Sequence, residues 1–292
     1  MSFNQKKIIV QFTYGTGPEG DGEPTKTATI ENCRVSMQAN IIGGEGMAQC
    51  SGRIFGMGLS LMNQLSRVGR LPNVWRDNTM TIKAGDEKQG MSQIFQGTVI
   101  TAFPDLLSAP EVSFIVSAVA GGIEQLKPAP NNTYPGSVDV AVILGNLAAQ
   151  MGVKFENNGV SVILPSSYYY GSLREQAKKA VRDAKIEWNG IENGVLAIWP
   201  KGKTRGGTIP LINTKSGMVG YPAYTENGIF VKSLFNPVIR FGQIVKVESD
   251  IEKAQGQWMV ANLVHTVEAK TPGGRWDTEM HLVLPGAFGV AH

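Results

Sequence analysis

The sequence predicts an α+β protein, mainly β, built as two β-barrel or sandwich domains with a small α+β insert between them. Period-two alternation marks both ends of the chain. In the stretch 34–42, Arg34, Ser36, Gln38 and Asn40 interleave with Val35, Met37, Ala39 and Ile41, giving one wet and one dry face. Helical spacing is confined to 58–69 and to the middle of the chain. Glycine, at 35 of 292 residues, exceeds its usual share of about 7% and punctuates short extended runs.

In chain order, Lys7–Tyr14 reads as a strand, followed by the glycine-rich turn Gly15–Glu23. Lys26–Ile30, Arg34–Ile42 and Met47–Phe55 are further strands, with Gly43, Gly44 and Gly46 between the last two. Leu59, Met62, Leu65 and Val68 recur at helical spacing, and Gly69 is a helix stop. Thr79–Ala84, Ser92–Ala102 and Glu111–Ala118 follow as strands, separated by the turn Gly85–Glu87 and the loop Pro104–Pro110. These elements define a first β domain over 1–125. Pro128, Pro130, Asn131, Asn132 and Pro135 read as a linker.

The α+β insert covers 135–203. Ser137 is the expected N-cap of a helix through Met151, ended by Gly152. Val160–Leu164 is a short strand. Ser172 and Glu175 form a capping box ahead of a helix over Leu173–Lys185, and Lys185–Trp188 with Val195–Trp199 form a hairpin. A second β domain over 208–292 has strand candidates at Gly217–Gly220, Gly228–Leu234, Gln243–Glu248, Trp258–Glu268 and Trp276–Leu284, with no helix.

Composition narrows the function. Charged residues are 17% of the chain, and the net charge of +3 comes from 27 basic and 24 acidic side chains. That balance argues against nucleic-acid or anionic-membrane binding, and the thin charge coat suggests surface covered by partners. Cys33 and Cys50 do not make a disulfide framework and read as buried small residues in strands. The N-terminal apolar run is too short for a signal peptide, and none approaches the ~18 residues of a membrane helix. Synthesis in the cytoplasm and a soluble fold are expected.

Catalytic patterns are sparse. There is no G-x-S-x-G element. His265 and His281 read as sheet histidines on two strands, and no third ligand at a recognised spacing joins them. Gly202-Lys203-Thr204 lacks the first glycine of a P-loop, since Ala197 stands there, and reads as a basic, mobile turn with Lys201 and Arg205. Acidic residues are scattered, and Asp250 and Glu252 read as a solvated loop pair. Tyr168, Tyr169 and Tyr170 read chiefly as packing for the helix that follows, with a stacking platform as the other use. No catalytic, cofactor-binding or metal site is expected, and the chain is read as a non-enzyme.

Several runs then carry a family resemblance. These are Gly217-Met218-Val219-Gly220-Tyr221-Pro222, Gly228 through Pro237, Gly242 through Ser249, Gly256-Gln257-Trp258-Met259-Val260, His265 through Glu268, and Thr271-Pro272-Gly273-Gly274-Arg275-Trp276. Ser51 through Met57 and Ser172 through Ala177 add to them. Together they resemble the baseplate hub proteins of contractile-tailed bacteriophages.

The resemblance implies a structural virion protein with two tail-tube-like β domains. It implies a homotrimer with pseudo-six-fold symmetry that joins the six-fold tail tube to the three-fold central spike. Other baseplate proteins and the tape measure protein are implied partners, DNA would pass through the lumen without specific binding, and no membrane insertion is expected. Arg53, Phe55, Met57, Lys232, Leu234 and Phe235 are the candidate interface residues. The loops Gly43–Gly46 and Gly15–Gly22 are expected to order only on assembly. The alternative class is a tail-associated protein that binds or degrades cell wall.

Overall fold

A computed structural model of the chain describes residues 5–15, 25–66, 78–86, 88 and 90–286. It is mainly β, and the chain divides into two compact units. Unit 1 takes in Met1–Asn40, Gln49–Ala120 and Val264–Asp277; unit 2 takes in Ile41–Ala48, Gly121–Leu263 and Thr278–His292.

Unit 1 contains β1 (Lys6–Tyr14), β2 (Lys26–Ile30), β3 (Val35–Ile42), β4 (Gln49–Phe55), α1 (Leu59–Leu65), β5 (Thr79–Asp86), β6 (Gly90–Asp105) and β7 (Ser113–Val119). Neighbouring strands run β3-β4-β7-β6-β5-β1-β2 and all pair antiparallel. The alternation of β3 resolves as read: Val35, Met37, Ala39 and Ile41 are buried. Ile8, Val10, Phe12 and Tyr14 of β1 turn to the core in the same way. Phe12 meets Phe114 edge to face, with ring centroids 6.4 Å apart. Met62 and Leu65 of α1 are buried, whereas Leu59 is exposed. Val68, Gly69 and residues 16–22 of the Gly15–Gly22 loop lie outside the described residues.

Unit 2 contains α2 (Gly122–Leu126), β8 (Asn132–Asp139), α3 (Val140–Met151), β9 (Lys154–Asn157), β10 (Ile163–Tyr169), α4 (Leu173–Ala184), β11 (Ile186–Trp188), β12 (Val195–Pro200), β13 (Leu211–Ile212), β14 (Ala223–Thr225), β15 (Gly228–Leu234) and β16 (Ile244–Val247). A 3-10 turn, Glu252–Ala254, precedes β17 (Gly256–Ala269) and β18 (Trp276–Val283). The last two strands are shared: Val264–Ala269 lies in unit 1, beside β3, and Thr278–Val283 lies in unit 2.

Helices α3 and α4 bury Ile143, Leu144, Leu147, Ala177, Ala180 and Val181 in one cluster with Tyr169. The capping box is present in full: Glu175 N–H donates to Ser172 Oγ at 3.3 Å, and Ser172 N–H donates to Glu175 Oε2 at 3.0 Å.

Local readings changed in three places. The N-cap of α3 is Asp139 and not Ser137; its carboxylate accepts from Ala141 N–H at 2.8 Å, while Ser137 stays extended opposite Pro165. The proline-rich linker partly forms β8. It is tolerated because β10 is the only neighbour of β8 in a two-stranded ribbon, and the register slips where Pro135 falls. The expected Val160–Leu164 strand begins later, at Ile163, because Val160 is held in a turn by Asn157. The Asn157 amide oxygen accepts from Val160 N–H at 2.8 Å, and its Nδ2 donates to Val160 C=O at 3.0 Å.

Candidate assembly surfaces

The strands place the six candidate interface residues in two groups, one in each unit. Arg53 stands mid-β4, opposite Ser36 on β3 and Ile115 on β7. Its guanidinium lies 3.4 Å from Asp105 at the end of β6. The Ser108 hydroxyl, donating at 2.7 Å, holds the Asp105 carboxyl below its ordinary range. Phe55 ends β4 with the Arg34 guanidinium over its ring at 4.1 Å, and Arg34 also pairs with Glu111 at 3.2 Å. Met57 follows, half-buried. These residues and the β6–β7 loop share one end of the sheet, since both Phe55 and Asp105 register against Ser113.

In unit 2, Lys232 and Leu234 point the same way from β15, with Phe235 half-buried just beyond. Lys232 pairs with Glu279 of β18 at 3.1 Å. Leu234 is 60% exposed, and Phe230, Tyr224, Tyr221 and Val219 are also exposed on or beside this ribbon. Val219 N–H donates to the Lys232 carbonyl at 2.8 Å, and Leu234 N–H to the Gly217 carbonyl at 2.7 Å. The apolar surface is therefore carried on ordered backbone.

Two expectations about loops are corrected. The Gly43–Gly46 turn does not wait for assembly to become ordered. Gly44 N–H donates to the Trp188 carbonyl at 3.1 Å, and Arg174 donates to the Gly46 carbonyl at 2.7 Å. Glu45 pairs with Lys178 at 2.9 Å and with Arg182, and those two cations hold its carboxyl below the usual range. Gly43 is required by close approach: a Cβ there would stand 2.0 Å from the Phe241 ring.

Nor is Arg205 part of a mobile basic turn. Its side chain is 2% exposed and grips two carboxylates: Glu192 at 2.5 Å, and Glu156 through two hydrogen bonds at 3.0 and 2.9 Å. Burial alone would disfavour its charge, and the two carboxylates more than offset that.

The other weighed residues fall as follows. Tyr169 is buried, while Tyr168 and Tyr170 are exposed with ring centroids 6.1 Å apart. Lys179 lies 5.1 Å from the Tyr170 ring. Cys50 is buried in β4, and burial pushes its thiol above the ordinary range; Cys33 sits in a bend before β3 and not in a strand. His265 is buried in β17, which lowers it to about 4, and His281 on β18 hydrogen-bonds Thr225 at 2.9 Å. Among the described residues, no cluster of three or more His, Cys, Asp and Glu side chains could hold a metal ion, and no helix is long and apolar enough to cross a membrane.

Sequence reasoning did not single out Glu45, Arg174, Glu156, Glu192, Leu106 or Leu107. For most of these no local signal existed, because their partners are distant in the chain. The leucine pair was visible, as an apolar dipeptide inside the Pro104–Pro110 loop.

Ordered apolar surface on antiparallel β units defines a class: the β-rich tail proteins of phages and related machines. Solved structures share the fold at low identity. The 43 kDa tail protein of prophage MuSo2 from Shewanella oneidensis matches with a TM-score of 0.62 at 10% identity, over 97% of this chain and 99% of that one. A tail protein from Neisseria meningitidis MC58 matches at 0.62 and 8%, over 95% and 96%. The E. coli c3393 protein, a type VI secretion component described as structurally similar to T4 tail proteins gp27 and gp5, matches at 0.55 and 10%, over 92% and 76%. No curated protein sequence matches the chain.

The model of the baseplate hub gp41 family matches residues 32–272, and the chain belongs to that family. It is a structural component of the phage baseplate, and so of the virion tail.

Proposed function

We propose that this protein is the central hub of the baseplate, a homotrimer that joins the six-fold tail tube to the three-fold spike. The observation that carries the reading is the presence of two compact, β-containing units in one hub-family chain. Three copies then offer six units, which matches the order of the tube while keeping the symmetry of the spike. Along the chain, 1–125 and 208–292 supply the tube-like parts and 135–203 the insert that meets the surrounding baseplate. Arg53, Phe55 and Met57 on one unit, and Lys232, Leu234 and Phe235 on the other, contribute to the contacts with partners.

In this reading the protein is made in the host cytoplasm and has no catalytic role. DNA passes through its lumen unread, and the tape measure protein lies within reach. Cryo-EM of the purified protein, alone and with spike, is the test. Three-fold particles with six similar lobes around a channel are expected. A protein that stays monomeric at micromolar concentration, alone and with spike, refutes the proposal.

A further inference from the structure

The hairpin between β6 and β7 ends in two leucines with nothing over them: Leu106 is 53% exposed and Leu107 100%. Turn tips ordinarily carry Gly, Asn, Asp or Ser. The loop is braced from within. Ser108 donates to Asp105 at 2.7 Å, Glu111 N–H donates to the Ser108 carbonyl at 2.9 Å, and Arg53 and Arg34 pair with Asp105 and Glu111. Phe103, opposite Ile115, is exposed on the flank. A preformed apolar tip has little order left to lose on docking.

Position and size point to the occupant. Asp105, Ser113 and Phe55 are brought to one end of the sheet by register. Strands that wall a channel end at the two faces of a ring, so a hairpin tip addresses a neighbour stacked along the axis and not one beside it. Two leucines also cover far less than the ~800 Å² per partner of a stable binary complex. A partner held by such tips must offer the same socket several times, so that the sites reinforce one another through effective concentration. A cyclic ring stacked on the hub meets both conditions.

We infer that the Leu106–Leu107 tip is a knob that seats in an apolar socket on the tail tube ring; this rests on the hub reading above. The test uses the full-length protein and tail tube protein of the same phage, assembled into tubes. Co-sedimentation reads binding, and light scattering reads the oligomeric state. Leu107→Asp is expected to weaken tube binding at least about tenfold, the lower end of what burying one leucine is worth. Its far-UV spectrum and trimer should be unchanged, and Leu107→Met should bind as the wild type does. If Leu107→Asp co-sediments like the wild type, the knob is refuted and the hub reading stands. If the trimer weakens while tube binding holds, the tip contacts a sibling subunit and the inference is again wrong. A trimeric wild type that ignores the tube removes the tube-joining role and the knob together.

Discussion

Replacing Arg205 with methionine strands Glu192. The Glu192 side chain is 3% exposed, and it accepts from Arg205 at 2.5 Å and from Phe241 N–H at 3.4 Å. Glu156, about one third exposed, can regain water when the guanidinium goes; Glu192 cannot. Removing one member of a buried pair costs about 3–5 kcal/mol, mainly through the uncompensated charge left behind. At about 2–4 °C per kcal/mol, the melting point of the cooperative unit should fall by on the order of 10 °C. Adding Glu192→Gln to Arg205→Met should return at least half of the loss, because the buried charge is then gone.

The pH dependence should change as well. Hydrogen bonds from Arg205 hold Glu156 below the ordinary carboxylate range. That stabilisation is complete above the unfolded value of ~4.3 and is lost as pH falls through the lower folded value. Arg205→Met should flatten this acid limb. Urea denaturation between pH 3 and 7 measures both effects. An Arg205→Met protein within about 1 kcal/mol of wild type, with an unchanged acid limb, refutes the reasoning.

Three further outcomes are expected. Gly43→Ala drives a methyl into the Phe241 ring and should destabilise by about 1–3 kcal/mol; Phe241→Leu in the same chain should recover part of it, both read by urea denaturation. Burial lowers His265 to about 4, so the unfolded chain binds the extra proton first; stability should fall by about 3 kcal/mol between pH 6.5 and pH 4, and His265→Gln should abolish that slope in a pH series of melts. Glu45→Gln should cost under about 1 kcal/mol because its ion pairs are exposed, whereas Arg174→Ala, which uncouples the buried donor to the Gly46 carbonyl, should cost about 1–3 kcal/mol and speed amide exchange in residues 43–47.

What could be read from the sequence was what neighbours along the chain decide. The two-residue period of β3 predicted its buried face residue by residue, and the Ser172–Glu175 capping box depends only on a spacing of three. The same period was present in Tyr168–Tyr170, where it places the middle ring inside and the outer two outside. The ion network was hidden for the opposite reason. Within Lys201–Arg205 the arginine is one more cation on a glycine turn, and its carboxylates stand 49 and 13 residues away.

The Gly43–Gly46 turn misled in a related way. Four loop-forming residues suggest freedom, yet the α4 groups that fix the turn lie 128 to 137 positions further on. The six interface candidates followed family runs, and the fold distributes them as one sheet end and one ribbon face. The apolar tip beside the first group required knowledge of which loop residues remain uncovered.

The pairing of β3 with β17 sets an order of events during synthesis. Ser36 donates to Glu268 at 2.9 Å, across 232 positions. At about 5–20 residues per second, β3 waits roughly 10 to 50 s before its neighbour leaves the ribosome. Throughout that interval one side of β3 lacks its partner, an open edge that invites mispairing. A chain broken off early never closes it. The last strands to be made therefore act as a completeness check on the first sheet, and only a finished chain presents a closed surface to the tail.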